Sequence, residues 1–171
     1  MRKITFLLLA ILIVSVFLPT NTVIPVQNAT SNDWDKHSFW FHPWGESGVH
    51  KGIDIFAKKG TPTIASTSGI VLFKGTIKLG GNVVAILDRK WRIHYYAHLQ
   101  TQDVQALAWV AQGEKIGTVG NTGNAAGKPP HLHYSILSLI PSISEITLEQ
   151  EGWKRMFYLN PARVFAKANN R

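Results

Sequence analysis

Short apolar runs, broken at regular intervals by glycine-containing turns, follow one another through the middle of the chain. Runs of β-branched and aromatic residues bounded by glycine, proline and asparagine are typical of strands joined by hairpins. The runs cover residues 52–56, 63–65, 69–73, 82–87 and 91–98, and a further strand begins at residue 131. This spacing predicts an all-β fold, an antiparallel β-sheet domain with few short helices.

Three other segments interrupt or follow the strand pattern. Residues 101–110 are compatible with a short helix, and residues 117–130, rich in glycine and ending in two prolines, predict a long loop. Residues 145–167 are predicted to pack back over the sheet. The side chains expected to make that contact are Trp153, Phe157, Tyr158, Leu159 and Phe165.

The N-terminal segment has the layout of an export signal. Arg2 and Lys3 precede an almost unbroken apolar run over residues 4–18, which Pro19 ends. This layout is typical of a signal peptide, and the run is short for a membrane span of about 20 residues. We predict that residues 1–29 are a signal peptide or, if uncleaved, an N-terminal anchor. The protein is therefore expected in the periplasm, in the cell envelope or outside the cell, with membrane contact only through this segment.

The rest of the chain divides into a lead-in and one domain. Residues 21–32 are polar and predict a linker, and residues 30–47 together form a linker and an aromatic-rich lead-in. The aromatic side chains of this lead-in either pack in a core or cleft wall or contact a substrate. Residues 48–171 are long enough for one domain with its own core.

Composition and charge narrow the partners and the chemistry. The chain has 171 residues, is 45% hydrophobic and 16% charged, and carries a formal net charge of +8. A basic protein is attracted to anionic polymers such as cell wall, membrane surface or nucleic acid. Its basic residues are scattered, which argues against nucleic acid. Because cysteine is absent, disulfides and thiolate zinc sites are excluded, and a metal must be held by histidine and carboxylate.

Four side chains are spaced as metal ligands would be. His131 and His133 flank Leu132, so in a strand the two imidazoles project to one side while the leucine points to the other. His50 and Asp54 are four residues apart, which places them on one side of either a strand or a helix. Three imidazoles and one carboxylate are enough donors for a catalytic zinc ion with three protein ligands and one open position.

A further histidine, His98, ends a strand-like run and makes a fifth candidate. Strand alternation places His94, Tyr96 and His98 on one face, and Tyr95 and Ala97 on the other. We interpret His94 as a surface or packing residue. The residues alone leave five candidate side chains where a hydrolytic zinc ion needs three, and they do not divide ligands from catalytic groups.

Taken together, these motifs resemble the M23 family of zinc metallopeptidases, of the lysostaphin and LytM type. The matching motifs are His50 to Asp54, Gly60-Thr61-Pro62 with Ala65, Tyr96 to Leu99, Gly120 to Gly123, and His131 to His133. The resemblance implies a central groove in the sheet domain, one zinc ion, and hydrolysis of peptide bonds in bacterial peptidoglycan. It also implies that His50, Asp54 and His133 bind zinc, and that His98 and His131 are the catalytic pair.

Two other functions remain compatible with the sequence. A peptidoglycan-binding module, or an activator of a separate cell-wall hydrolase, would bind the wall without releasing a product. A lipoyl- or biotinyl-carrier-like β-sandwich would account for the turns near residues 60–71, but it offers no reason for two histidines around Leu132. The chain departs from the commoner family pattern at Lys128-Pro129-Pro130, which lengthens the approach to His131 and affects the shape of the groove.

Overall fold

A computed structural model describes residues 14–15, 17 and 21–169 of the chain. The apolar run predicted as the centre of an export segment therefore lies outside the described residues, except for Val14, Ser15 and Phe17. Within the described part, none of the helices combines the length and the apolar character that a membrane span requires.

In this part of the chain, nine strands form one antiparallel sheet, which confirms the predicted fold class. The strands are β1 (Ile53–Phe56), β2 (Pro62–Ile64), β3 (Gly69–Ile77), β4 (Gly81–Leu87), β5 (Arg92–Gln102), β6 (Trp109–Val110), β7 (Lys115–Val119), β8 (His131–Ser138) and β9 (Tyr158–Leu159). The main path runs β1-β8-β5-β4-β3-β6, while β7 pairs with β2 and β5, and β9 pairs with β8. Between residues 21 and 169 the helical elements are short, namely the α-helix α1 (Pro161–Asn169) and 3-10 turns at Gly45–Ser47, Gly123–Ala125, Ile143–Glu145 and Gly152–Phe157.

Alternation along β1 and β8 separates a core face from a cleft face. Ile55 and Leu132 are paired across the two strands and are both fully buried in the core. The residues on either side of them point to the opposite face, where the pairs Asp54–His133 and Phe56–His131 meet. Because neighbouring side chains in a strand point to opposite faces, the same strands that fill the core also build the floor of a cleft.

Residues 21–32, predicted as a linker, are instead held against the sheet. The Gln27 amide donates to the Pro62 carbonyl, and the Ile64 amide donates to the Pro25 carbonyl, each over 3.0 Å. Val26 is buried in the same core as the sheet residues. Apolar residues within a polar stretch thus cover the edge of β2, and this local burial outweighs the linker-like composition. The predicted boundaries at residues 29 and 47 stay predictions.

Residues 101–110 do not form the short helix that the sequence predicts. This segment forms the end of β5, a turn and β6, with no helix among its residues. Its amides bond to other strands: Asp103 donates to the Ile116 carbonyl and Leu107 to the Val71 carbonyl. Tertiary hydrogen bonds therefore override a weak local helix pattern. The C-terminal segment packs back as predicted through Phe165, whereas Trp153 stays 58% exposed.

Candidate active site and metal centre

The cleft lies on the outward face of three neighbouring strands, β1, β8 and β5. In their register, His133 stands between Asp54 on one side and Ala97 on the other. The cleft encloses about 570 Å³. All five predicted site residues line it, namely His50, Asp54, His98, His131 and His133. The β1–β8 pairing therefore brings together Asp54 and His133, which are 79 residues apart in the chain.

His131 and His133 occupy β8 as the strand alternation predicted. Both side chains line the cleft, while Leu132 between them is fully buried in the core. The ring of Phe56, across the β1–β8 pair, lies 5.5 Å from the His131 ring between centroids. The two imidazoles thus share one face, with an apolar ring beside the first.

His98 reaches the cleft through a β-bulge, and here the predicted face was wrong. Two steps along β4, from Asn82 to Val84, correspond to three steps along β5, from Leu99 to Tyr96. His98 has a φ of 64° at this extra position, and its amide donates to the Gly80 carbonyl over 2.8 Å. An extra residue re-aims the side chains that follow it. His98 therefore faces the cleft with Ala97, while Tyr96 points into the core.

Two glycines bring a loop against this bulge and orient His98. Gly81 and Gly123 both have positive φ, and a Cβ on Gly81 would lie 2.4 Å from the Gly123 nitrogen. Only residues without a side chain allow the two backbones to approach so closely. The contact places Thr122 beside β5, where its carbonyl accepts a hydrogen bond from His98 Nδ1 over 2.9 Å.

Backbone carbonyls set the tautomer of three cleft histidines. His50 Nδ1 lies 2.9 Å from the Ser38 carbonyl, and His131 Nδ1 lies 2.8 Å from the Pro129 carbonyl. Thr122 provides the same contact for His98. Because a carbonyl only accepts, each Nδ1 carries its hydrogen. In the neutral imidazole, the Nε2 atom then presents a lone pair.

Three donor atoms converge as they would around a metal ion. Asp54 Oδ1 lies 3.1 Å from His50 Nε2 and 2.8 Å from His133 Nδ1, and the two nitrogens are 3.0 Å apart. Ligand atoms about 2.05 Å from a tetrahedral zinc ion are about 3.3 Å from one another. Two imidazoles and one carboxylate are also a donor set that zinc accepts. The residues present therefore fit a metal of this kind.

Burial and close contacts shift the pKa values of these groups. Burial alone would raise the pKa of Asp54, but its contacts with His133 and His50 outweigh burial and hold that pKa well below its usual range. Burial, together with the nearby His133 and His131, lowers the pKa of His98 to about 4. Burial also lowers the pKa of His133. These shifts favour an ionised Asp54 beside a neutral His133, which is the protonation state of metal ligands.

Trp44 and Tyr95 are among the aromatic residues at the site that were not predicted from the sequence as site residues. Trp44 stacks on His50, with ring centroids 4.2 Å apart and an angle of 25° between the planes. The predicted aromatic lead-in was the signal for it, although that pattern could not single out one ring. Tyr95 lines the cleft beside Ala97, and its ring lies 6.2 Å from the ring of His133. Without knowledge of the bulge, alternation separated Tyr95 from His98.

Comparison with protein families and curated proteins gives a consistent result. The profile described as Peptidase family M23 matches residues 48–142. The chain is 37% identical over 113 residues to the L-Ala--D-Glu endopeptidase of Bacillus subtilis, covering 61% of this chain and 35% of that protein. It is 40% identical over 97 residues to the peptidoglycan DD-endopeptidase ShyC of Vibrio cholerae, covering 56% of this chain and 22% of that protein. The chain thus spans about a third or less of the length of these relatives.

Among solved structures, the fold is similar to the catalytic domain of the antimicrobial peptidase lysostaphin from Staphylococcus simulans. The TM-score is 0.61 at 23% sequence identity, covering 81% of this chain and 99% of that domain. At this identity, the similarity concerns the fold.

Proposed function

Because the chain belongs to peptidase family M23, we propose that it is an exported, zinc-dependent endopeptidase that hydrolyses peptide bonds in bacterial peptidoglycan. The observation that carries the proposal is the convergence of Asp54 Oδ1, His50 Nε2 and His133 Nδ1 within 3.1 Å of one another. The two relatives described above, which are named as peptidoglycan-directed or L-Ala–D-Glu endopeptidases, support the substrate class.

His50, Asp54 and His133 would hold one zinc ion. When bound, zinc supplies Lewis-acid chemistry, polarising a peptide carbonyl and acidifying water. The hydrogen bond from His50 Nδ1 to the Ser38 carbonyl fixes the ring with Nε2 towards the site. Such outer partners orient metal-binding imidazoles and raise their basicity.

His131 and His98 are proposed as the catalytic pair. Their rings are 5.0 Å apart between centroids, and both line the cleft beside the three donors. Each Nδ1 is tied to a backbone carbonyl, so each neutral Nε2 can accept a proton from an attacking water. A ring that has accepted this proton can then donate it to the developing oxyanion or to the leaving amine. The fixed ring orientation keeps these proton-transfer atoms in place.

The proposed location is outside the cytoplasm. Residues 1–29 would direct export and, because Val26 within them is buried in the core beside β2, would stay attached as an N-terminal anchor. Residues 30–47 would form the lead-in, and residues 48–171 would form the peptidase domain. The formal net charge of +8 would favour approach to an anionic cell wall. The peptidoglycan substrates in the names of related proteins support a location at the envelope or beyond it.

Two variants separate metal binding from catalysis. We expect His133→Ala to lose zinc, measured by elemental analysis, and to release no muropeptides from purified peptidoglycan. His131→Ala should retain zinc but lose about 100-fold or more in rate, since it removes a group that transfers protons. His37→Ala, an exposed histidine outside the cleft, is the matched control and should behave as wild type. Binding of peptidoglycan by wild type without any product would instead support a non-catalytic binding module or activator.

A further inference from the structure

The charged side chains along the cleft are unevenly distributed. Among the described cleft-lining residues, Asp54 is the one acid, and it faces the metal donors. Lys51 and Lys128 are the two cations in the same lining. With Asp54 engaged at the metal centre, no other described acid in the lining repels an anionic substrate.

The two lysines differ in what surrounds their ammonium groups. Lys51 Nζ lies 2.9 Å from Glu151 Oε2 and donates to the Ser47 carbonyl over 2.8 Å. Its ammonium group is therefore already engaged by the protein, in a contact with Glu151 that Lys154 shares at 2.9 Å. Lys128 is exposed, and in the described part of the chain its ammonium group has no hydrogen-bond or ion-pair partner. Lys128 is thus the cation that remains available to a ligand in the cleft.

The backbone around Lys128 is fixed next to the proposed catalytic pair. The Lys128 amide donates to the Ala125 carbonyl over 3.0 Å, and the adjacent Pro129 carbonyl accepts the hydrogen bond from His131 Nδ1. Proline rings at residues 129 and 130 restrict the backbone further. The loop that lengthens the approach to His131 therefore presents a lysine at the cleft, one residue before the carbonyl that orients His131.

We infer that Lys128 is a specificity-determining residue that receives a substrate carboxylate close to the bond that is cut. The inference rests on the proposed peptidase function and deepens it. The substrate class is then a stem peptide with a free carboxylate beside the scissile bond, rather than a neutral glycine bridge. A cation in a partly enclosed cleft attracts an anionic ligand and forms a charge-assisted hydrogen bond with it.

The test compares two synthetic stem peptides that differ only in this carboxylate, which is free in one and amidated in the other. Zinc-loaded wild type should cleave the free acid with a kcat/KM about 10- to 100-fold higher, the range of a hydrogen bond to a charged group. Lys128→Gln should slow cleavage of the free-acid peptide and leave the amidated peptide unaffected, so that the two rates approach each other. Lys128→Arg should restore the preference for the free acid. The control Lys59→Gln removes one charge from an exposed site outside the cleft and should leave the preference for the free acid unchanged.

Equal cleavage of both peptides by wild type would overturn the inference, as would a Lys128→Gln variant that slows both peptides equally. Faster cleavage of a pentaglycine peptide than of the acidic peptide would overturn it as well. Calorimetry of the metal-free protein with the same two peptides gives a readout that needs no catalysis. A binding preference for the acid that Lys128→Gln abolishes, with no cleavage by zinc-loaded wild type, would support the inference while rejecting the proposed function.

Discussion

Two clusters of histidine and aspartate lie on opposite faces of the same strands. The cleft cluster consists of His50, Asp54, His98, His131 and His133. The core cluster consists of Asp88, Arg92, His94 and Tyr134, which are largely buried on the other face of β5 and β8. Both clusters contain a carboxylate in contact with imidazole, fully buried at Asp88 and partly exposed at Asp54. What differs between the two clusters is the property that separates a site able to bind a ligand from one that only supports the fold.

In the core cluster the polar atoms satisfy one another. Tyr134 donates its hydroxyl to His94 Nδ1 over 2.6 Å, and His94 Nε2 donates to Asp88 Oδ2 over 3.2 Å. The second carboxylate oxygen accepts from the amides of Lys90 and Arg92. A neutral His94 has one donor and one acceptor, and both are used. Both ring nitrogens of His94 and both carboxylate oxygens of Asp88 are thus engaged within the cluster.

In the cleft cluster, by contrast, the hydrogen bonds that are made leave acceptor atoms facing inward. Nδ1 of His50 is used on a backbone carbonyl, so its Nε2 lone pair points at the carboxylate of Asp54. Acceptors that face one another repel unless a proton or a cation lies between them. Residue types are thus similar in the two clusters, whereas the cleft cluster is partly open to solvent and directs its unused lone pairs towards one another.

The largest expected effect on the free energy of unfolding comes from removing the carboxylate of the core cluster. Asp88→Ala would leave Arg92 and His94 without their buried carboxylate, and removal of one partner from a buried ion pair costs about 3–5 kcal/mol. We expect that decrease in the free energy of unfolding of the metal-free protein, measured by urea denaturation. The fraction that stays folded should still bind one zinc ion.

Asp54→Ala is the matched change in the cleft cluster. It should lower the free energy of unfolding of the metal-free protein by less than Asp88→Ala does, because the cleft is open to water, and it should abolish zinc binding. A larger destabilisation by Asp54→Ala than by Asp88→Ala would show that both clusters are structural.

Zinc itself should stabilise the protein through the cleft cluster alone. A ligand at 100 times its dissociation constant raises the free energy of unfolding by about 2.7 kcal/mol. Thermal unfolding with and without a chelator should show this stabilisation in wild type and lose it in His133→Ala. The conservative change Asp88→Asn should lower both curves and keep the difference between them. A loss of that difference in Asp88→Asn would mean that the core cluster also controls the metal site.

Strand alternation was enough to predict part of this arrangement from the sequence. It correctly placed His131 and His133 on one face with Leu132 in the core, because β8 is regular over these residues. The same rule failed for His98, because a bulge inserts one residue into β5 and reverses the alternation after it. A bulge depends on pairing with β4 and on the contact between two glycines that are distant in the sequence, so no local pattern predicts it.

Composition predicted the structure outside the site less well than strand alternation predicted the site itself. Residues 21–32 are polar as a group, yet Val26 is buried in the core beside β2. One buried apolar side chain hardly changes the mean hydropathy of such a segment. Of the two alternatives for His94, surface or packing, the structure confirms packing, since the residue is fully buried with both ring nitrogens paired. Its partners, Asp88 and Tyr134, come from other positions along the sheet, and their contacts with His94 appear only after folding.

The smallest expected effect is a difference in the pH dependence of stability. Burial lowers the pKa of His94 below its ordinary value of 6.5, so below that pH the unfolded chain binds a proton that the folded protein does not. Stability is therefore lost as pH falls from 6.5 towards the folded pKa, by at most about 1.4 kcal/mol per pH unit. The low pKa of Asp88 adds a loss of stability in the same direction, below its ordinary value of 3.8.

His94→Gln removes the contribution of His94. Between pH 6.5 and 5, the free energy of unfolding from urea denaturation should therefore change less steeply with pH in this variant than in wild type. An unchanged slope would mean that His94 binds its proton equally well in the folded and unfolded chains, and that the core cluster does not hold His94 in its neutral form.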